Sequence, residues 1–263
     1  MGSTQNLVIH KRGTMAGRLG IIDWGIGGVS IYKLIKEQIG DVPVTYLSDT
    51  GATPYGKMSR PELTARLDSV IEYLKGRGVT HIIIGCNAAS TAIPHLADHA
   101  IPVDGVIVPA TKMAAKLKPT KLGLIGGRRT VVSGVYRRLL KAQNIEVKQR
   151  IAQPLSALIE SGDVVSETLR GEAKRILAPL KNCSHILLAC THYPAITPLL
   201  RQLVSPQTIF IDPAAEMVEI VRSAGMPLSG GDTFLTTGNA QMIRSSAQKA
   251  FGVAIASAES ISI

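Results

Sequence analysis

Short, unbroken runs of Ile, Val and Leu recur along the chain. They are LGIID (19–23), VTYLSD (44–49), HIIIGC (81–86), PVDGVIV (102–108), LGLIGG (122–127), EVKQRIA (146–152), HILLAC (185–190) and QTIFID (207–212). A strand that is apolar on both faces has to be covered on both faces, whereas a half-solvated strand alternates apolar with polar. Between the runs lie longer amphipathic stretches, among them PELTARLDSVIEYLKGRG (61–78), VVSGVYRRLLKAQN (131–144) and VSETLRGEAKRILAPL (165–180). Strands of this kind separated by helices predict βαβ units, hence an α/β fold with mostly parallel, buried sheets.

The chain also resembles itself. RLGIIDWGIGGVSIYKLIKE (18–37) is echoed by KLGLIGGRRTVVSGVYRRLLKA (121–142), with Gly20 and Gly123 about 103 positions apart. The cysteines of HIIIGCN and HILLACT, Cys86 and Cys190, are about 104 apart. Two pairs with nearly one offset predict two similar α/β domains related by a pseudo-twofold axis. Sheets of this class bind ligands outside the carboxyl ends of their strands, which puts an active site in the cleft between the domains. The axis would aim both thiols at one ligand from opposite sides.

Two like acid–base groups on opposite faces suit the inversion of a stereocentre: one removes a proton, the other returns a proton to the far face. A thiol has a reference pKa of about 8.5, within reach of tuning to neutral pH. CNAASTAIPHLA and CTHYPAITPLL each read as a helix start, whose N-terminus lowers a thiol pKa and offers N–H groups to a carboxylate. The plainer alternative is that both cysteines are buried core residues, the commonest fate of that side chain. Residue chemistry alone leaves both readings standing.

Other patterns exclude more than they suggest. Three cysteines without a C-x-x-C pair argue against a disulfide framework or a zinc ribbon and for a reducing, cytoplasmic setting. Cys183 follows no strand end and reads as structural or surface. HLADH places His95 and His99 four apart on an expected helix but lacks the Glu of a zincin motif, so no metal is expected. Phosphate-loop, dinucleotide and serine-hydrolase motifs are missing in their proper contexts. The net charge of +10 is dispersed and aromatics are 4%, which favours a small anionic substrate over nucleic acid. No apolar run approaches the length that crosses a membrane. The opening MGSTQNLVIHKRGTMAGR reads as a flexible basic arm over residues 1–17 rather than a secretory signal.

DWGIGG (23–28), SDTGATPYG (48–56), GCNAAS (85–90) and ACTHYP (189–194) resemble, in order and spacing, the motifs of glutamate racemases in the aspartate/glutamate racemase superfamily. The resemblance spans about residues 18–225. It implies cofactor-independent, two-thiol racemisation of an acidic amino acid, with D-glutamate destined for the cell wall. It also implies a chain that crosses between domains twice, giving a first domain of 18–109 plus 213–263 and a second of 110–212. A homodimer is compatible with it. By motif match Cys86 and Cys190 are the acid–base thiols. Asp23 assists Cys86, while His192 and the weaker match Glu160 support Cys190. Asn87 and Thr191 lie by the substrate carboxylate, Tyr55 and Gly56 by its side-chain end, and Thr130 is a further substrate-binding match. The residue chemistry leaves Asp23 open as a helix cap and His192 as an ordinary loop histidine.

The departures fall in the recognition shell. Trp24 stands where the family usually has Ser, Ala88 where it has Thr, and Gly126-Gly127 precede the retained Thr130. Trp24 either turns away from the cleft or narrows it, and the first is the expectation because PYG and CTHYP are intact. Racemisation of aspartate or another amino acid, and a racemase-like binding or regulatory protein without turnover, are the alternatives these changes raise.

Overall fold

The computed structural model describes residues 17–228 and 230–263. The basic arm expected over residues 1–17 therefore lies outside the described residues, apart from Gly17. The strands are β1 (Leu19–Asp23), β2 (Val44–Ser48), β3 (His81–Ile84), β4 (Val103–Gly105), β5 (Leu122–Gly126), β6 (Val147–Ile151), β7 (His185–Ala189), β8 (Ile209–Ile211), β9 (Thr233–Thr236) and β10 (Glu259–Ser260). Helices α1 (Val29–Gln38), α2 (Arg60–Gly76) and α3 (Asn87–Ser90) follow β1, β2 and β3. Helices α4 (Ile107–Leu117), α5 (Arg128–Val132), α6 (Val135–Lys141), α7 (Gln153–Glu160), α8 (Glu167–Leu177) and α9 (Thr197–Arg201) belong to the middle of the chain. Helices α10 (Ala214–Ser223) and α11 (Ala240–Phe251) close it.

The strands form two sheets, ordered β10-β9-β2-β1-β3-β4 and β6-β5-β7-β8, and every pairing in both is parallel. Without β9 and β10 the first order, β2-β1-β3-β4, is the second order strand for strand. The internal likeness of the sequence is therefore a likeness of topology. β1 corresponds to β5 and β3 to β7; Ile22 pairs with Ile84 in one sheet as Gly126 pairs with Ala189 in the other. In each sheet the chain runs outward in opposite directions from this central pair, which is where such sheets open a crevice.

Burial explains the unbroken apolar runs: all five residues of β1, of β2 and of β5 are buried. One buried cluster runs from Leu19, Ile21 and Ile26 to Ile125, Leu188 and Tyr193, so a single core spans both sheets. Cys183 is part of it, which agrees with its structural reading.

Local chemistry sets the ends of the elements and corrects several expectations. Ser59 accepts from the Glu62 N–H while Glu62 accepts from the Ser59 N–H, a reciprocal cap that starts α2. The helix expected over 131–144 is broken in two, because Gly134 takes a left-handed conformation (φ 67°) between α5 and α6. The strand expected over 102–108 ends at Gly105; Pro109 sits in the first turn of α4, where a missing N–H is tolerated. His95 and His99 do not share a helix: a 3₁₀ turn ends at His95, Leu96 is extended, and His99 is clamped between Asp68 (2.8 Å) and Glu72 (2.6 Å). Both carboxylates come from α2, and no metal-binding cluster occurs among the described residues. No helix among the described residues is long and apolar enough to cross a membrane.

One wall of the crevice hangs on a buried carboxylate. Asp49, just past β2, accepts from Arg66 Nε and Nη2 (2.9 and 2.6 Å), from the Tyr55 hydroxyl (2.8 Å) and from the Thr237 hydroxyl (2.8 Å). These bonds tie the loop over 50–56 to α2 and to the segment after β9. Asp49→Ala would leave a guanidinium and two hydroxyls without their acceptor. Chemical denaturation should show a loss of about 3–5 kcal/mol, and a loss within error would remove Asp49 from this role.

Candidate functional site

The carboxyl ends of the two central strand pairs carry Asp23 and Cys86 on one sheet, and Gly126 and Cys190 on the other. The DWGIGG loop after β1 packs directly on Glu160, Thr191 and His192 of the opposite half. A Cβ at Gly25 would overlap Glu160 Oε2. One at Gly27 would overlap Thr191 Oγ1 and lie 2.7 Å from His192 Nδ1. These glycines are needed because side chains of one half take up the space beside the backbone of the other.

Asp23 is buried at the end of β1. Its Oδ1 accepts from the Gly25 N–H (3.1 Å) and its Oδ2 from the Thr191 hydroxyl (3.1 Å), a bond across the two halves. Burial pushes its carboxyl above the usual range, and His192 and the Gly25 N–H oppose that only in part. Cys86 is half-buried and precedes α3. Burial first, then the charge of Asp23, pushes its thiol well above the usual value, although the Ala89 and Ala88 N–H groups favour the thiolate. The expectation that a helix start lowers this thiol is thus reversed, because a four-residue helix is outweighed by desolvation. After Cys190 there is no helix start but a 3₁₀ turn, Tyr193–Ile196, with α9 beyond it.

Cys190 has a different neighbourhood. Its sulfur lies 3.5 Å from His192 Nδ1, and His192 Nε2 lies 2.6 Å from Glu160 Oε2. Glu160 Oε2 also accepts from the Ile26 N–H (3.0 Å), so the weaker sequence match is fixed in place by the first half. Burial alone would lower the His192 pKa; the charge and hydrogen bond of Cys190, then those of Glu160, hold it well above its usual value. The result is an imidazolium between a sulfur and a carboxylate.

Asn87 is buried, and its Oδ1 accepts from the Tyr136 hydroxyl of α6 (2.7 Å). Its Nδ2 has no partner among the described residues. An unsatisfied buried amide donor is costly unless something else accepts from it. Tyr136 escaped the sequence reading: at its position in the helix it is indistinguishable from a core residue, and no local signal pairs it with Asn87.

The remaining candidates are distributed unevenly. Thr130 is buried in α5 at the carboxyl end of β5, and Ala88 is half-buried beside Cys86. The Tyr55 side chain is directed into the core towards Asp49, so its hydroxyl is engaged, while Gly56 is exposed on the crevice wall. The Trp24 indole donates to the Ala52 carbonyl (3.0 Å) and packs against the apolar cluster that includes Tyr55.

The family model for Asp/Glu/hydantoin racemases matches residues 19–221. A glutamate racemase of Bacillus cereus is 32% identical over 249 residues, covering 89% of this chain and 93% of that protein. One from Synechococcus sp. (strain CC9605) is 34% identical over 221 residues, covering 80% of this chain and 82% of the other. Among solved structures, Francisella tularensis glutamate racemase in complex with D-glutamate superposes with a TM-score of 0.83. It shares 25% identity and covers 94% of this chain and 98% of that one.

The two thiols differ in a way that labelling reads directly. Cys86 is held as a thiol by burial and Asp23, whereas Cys190 lies 3.5 Å from Nδ1 of an imidazole held well above its usual pKa. Iodoacetamide near neutral pH should modify Cys190 before Cys86, as followed by peptide mass spectrometry. His192→Ala should erase the preference, and Cys86 reacting first in the unaltered protein would contradict this electrostatic picture.

Proposed function

The chain belongs to the Asp/Glu/hydantoin racemase family, and from that premise we propose that it interconverts L- and D-glutamate without a cofactor, with Cys86 and Cys190 as the proton-transfer groups. The observation that carries this reading is the pairing. Two half-buried thiols follow corresponding strands of two matched sheets, and each has its own acid–base partner. The choice of glutamate leans on the relatives from Bacillus cereus and Synechococcus and on the ligand named for the Francisella enzyme.

In the proposed reaction one thiolate takes the α-proton, forming an S–H bond and leaving the electron pair delocalised into the α-carboxylate. The opposite thiol gives its proton to the other face of the same carbon and becomes the thiolate. The centre is inverted, and the two sulfurs have exchanged protonation states. Asp23 assists Cys86 by keeping it protonated until it donates; His192, held by Glu160, supports the anionic sulfur of Cys190. Asn87 Nδ2 is the donor for the carboxylate, whose charge grows as the carbanion forms. A hydrogen bond to such a group contributes about 1.5–3 kcal/mol.

Trp24 and Ala88 remove two hydroxyls from the pattern the sequence resembles. The Trp24 N–H is given to the Ala52 carbonyl, and in this reading recognition falls to Asn87, Thr191, Thr130 and the backbone at Tyr55 and Gly56. Two free thiols that must stay reduced suit a cytoplasmic enzyme, and D-glutamate for the cell wall is its product.

Proton NMR in deuterated water tests this without added cofactor or metal. L-glutamate should lose its α-proton signal as the D-enantiomer appears, and aspartate should exchange more slowly. Exchange from another amino acid with none from either glutamate enantiomer would overturn the substrate. No exchange from any amino acid would leave a binding protein.

A further inference from the structure

A cleft of about 670 Å³ opens beside the site, bounded by Gly56, Arg60 and His95 of the first half and by Arg128, Arg129 and Arg138 of the second. No carboxylate lines it, and none of its four arginines forms an ion pair among the described residues. Arg129 crosses from α5 to the first half: its Nε–H donates to the Thr91 hydroxyl (3.0 Å) and its Nη1 to the Met58 carbonyl. Arg60 donates to His95 Nε2 (3.3 Å); an arginine cannot accept, so that ring nitrogen does, and His95 adds no competing proton there. Arg138 is held against the α5–α6 corner by the Ser133 carbonyl (2.7 Å).

Guanidinium groups gathered without counter-charge repel one another. Burial, then the nearness of Arg60, makes Arg129 easier to deprotonate than an ordinary arginine. The same forks match oxyanions in bidentate geometry, and the volume exceeds what one small inorganic ion needs.

We propose that this cleft is an oxyanion-binding site at the mouth of the catalytic crevice, taking a small anion with two or more negative charges. Such a ligand is gripped by Arg60 from one half and by Arg128, Arg129 and Arg138 from the other. An occupant that bridges the halves closes the mouth, so it competes with substrate; this consequence alone rests on reading the crevice as a racemase site. Phosphate and carboxylate anions share the required chemistry.

Isothermal titration with pyrophosphate and, separately, with citrate tests the site without turnover. At least one should bind the wild-type protein, and the tighter of the two identifies the source of the anion. Binding should weaken by at least about tenfold in the Arg60→Gln, Arg128→Gln, Arg138→Gln triple variant, as expected from three lost charge-assisted bonds. It should be unchanged in Lys174→Gln, Lys181→Gln, Arg201→Gln, whose cations lie outside the cleft. If the triple variant fails to fold, Arg128→Gln and Arg138→Gln alone should each weaken binding severalfold. No binding of either anion to the wild type, or equal binding by the cleft variants, overturns the proposal. Competition that raises KM for glutamate and leaves kcat alone supports the position at the mouth, and a fall in kcat alone contradicts it. Anion binding by a protein that racemises nothing would leave the site standing and the proposed function fallen.

Discussion

The hydrogen bond from Thr191 to the buried carboxyl of Asp23 joins the two halves where their strands point at one another. Around it, Glu160 reaches back to the Ile26 N–H, and Thr191 and His192 fill the space that a side chain at Gly27 would need. The two thiols are set by this seam. Cys86 stands after β3 and Cys190 after β7, on the two halves that the DWGIGG loop packs together. The same closeness takes Asp23 out of water, which raises its carboxyl, and sets His192 against Cys190 and Glu160, which hold the imidazole well above its usual value despite its burial.

The halves match in strand order but not in chemistry. At the end of β1 stands Asp23; at the corresponding end of β5 stands Gly126. The carboxyl whose charge raises the Cys86 thiol therefore has no counterpart by symmetry, and beside Cys190 stands instead an imidazole held by a carboxylate from α7. The two sulfurs therefore have unlike surroundings, a buried carboxyl near Cys86 and an imidazole held above its usual pKa beside Cys190. The proposed two-sided proton exchange requires the two sulfurs to trade protonation states, and such an exchange calls for an acid–base group beside each of them.

Much of this architecture is readable in the sequence because it comes from covering both faces of a strand. The runs at β1, β2, β5 and β7 are buried throughout or nearly so, and a parallel sheet has no other way to be continuous and apolar. β9 and β10 escape that reading because TFLT and ES are short and carry polar residues at the sheet edge. The break at Gly134 is set by one backbone conformation, and the early end of β4 by a proline tolerated in a helix's first turn. The motifs named residues that the fold brings close together, Asp23 with Thr191 and Glu160 with His192 and Cys190. What sequence could not reveal were contacts between residues far apart in the chain: Tyr136 on Asn87, Arg129 on Thr91, and Tyr55 turned to Asp49 rather than to the crevice.

The account stands or falls on whether the two sulfurs serve opposite faces of one carbon. Alanine at Cys86 and at Cys190, assayed separately with each glutamate enantiomer in deuterated water, measures this most directly. Each variant should lose net racemisation by about 10²–10⁴-fold, the range for removing a positioned acid or base. Residual α-exchange should be biased towards one enantiomer in one variant and towards the other in its counterpart. Full racemisation by either variant, or the same bias in both, would contradict the two-thiol site.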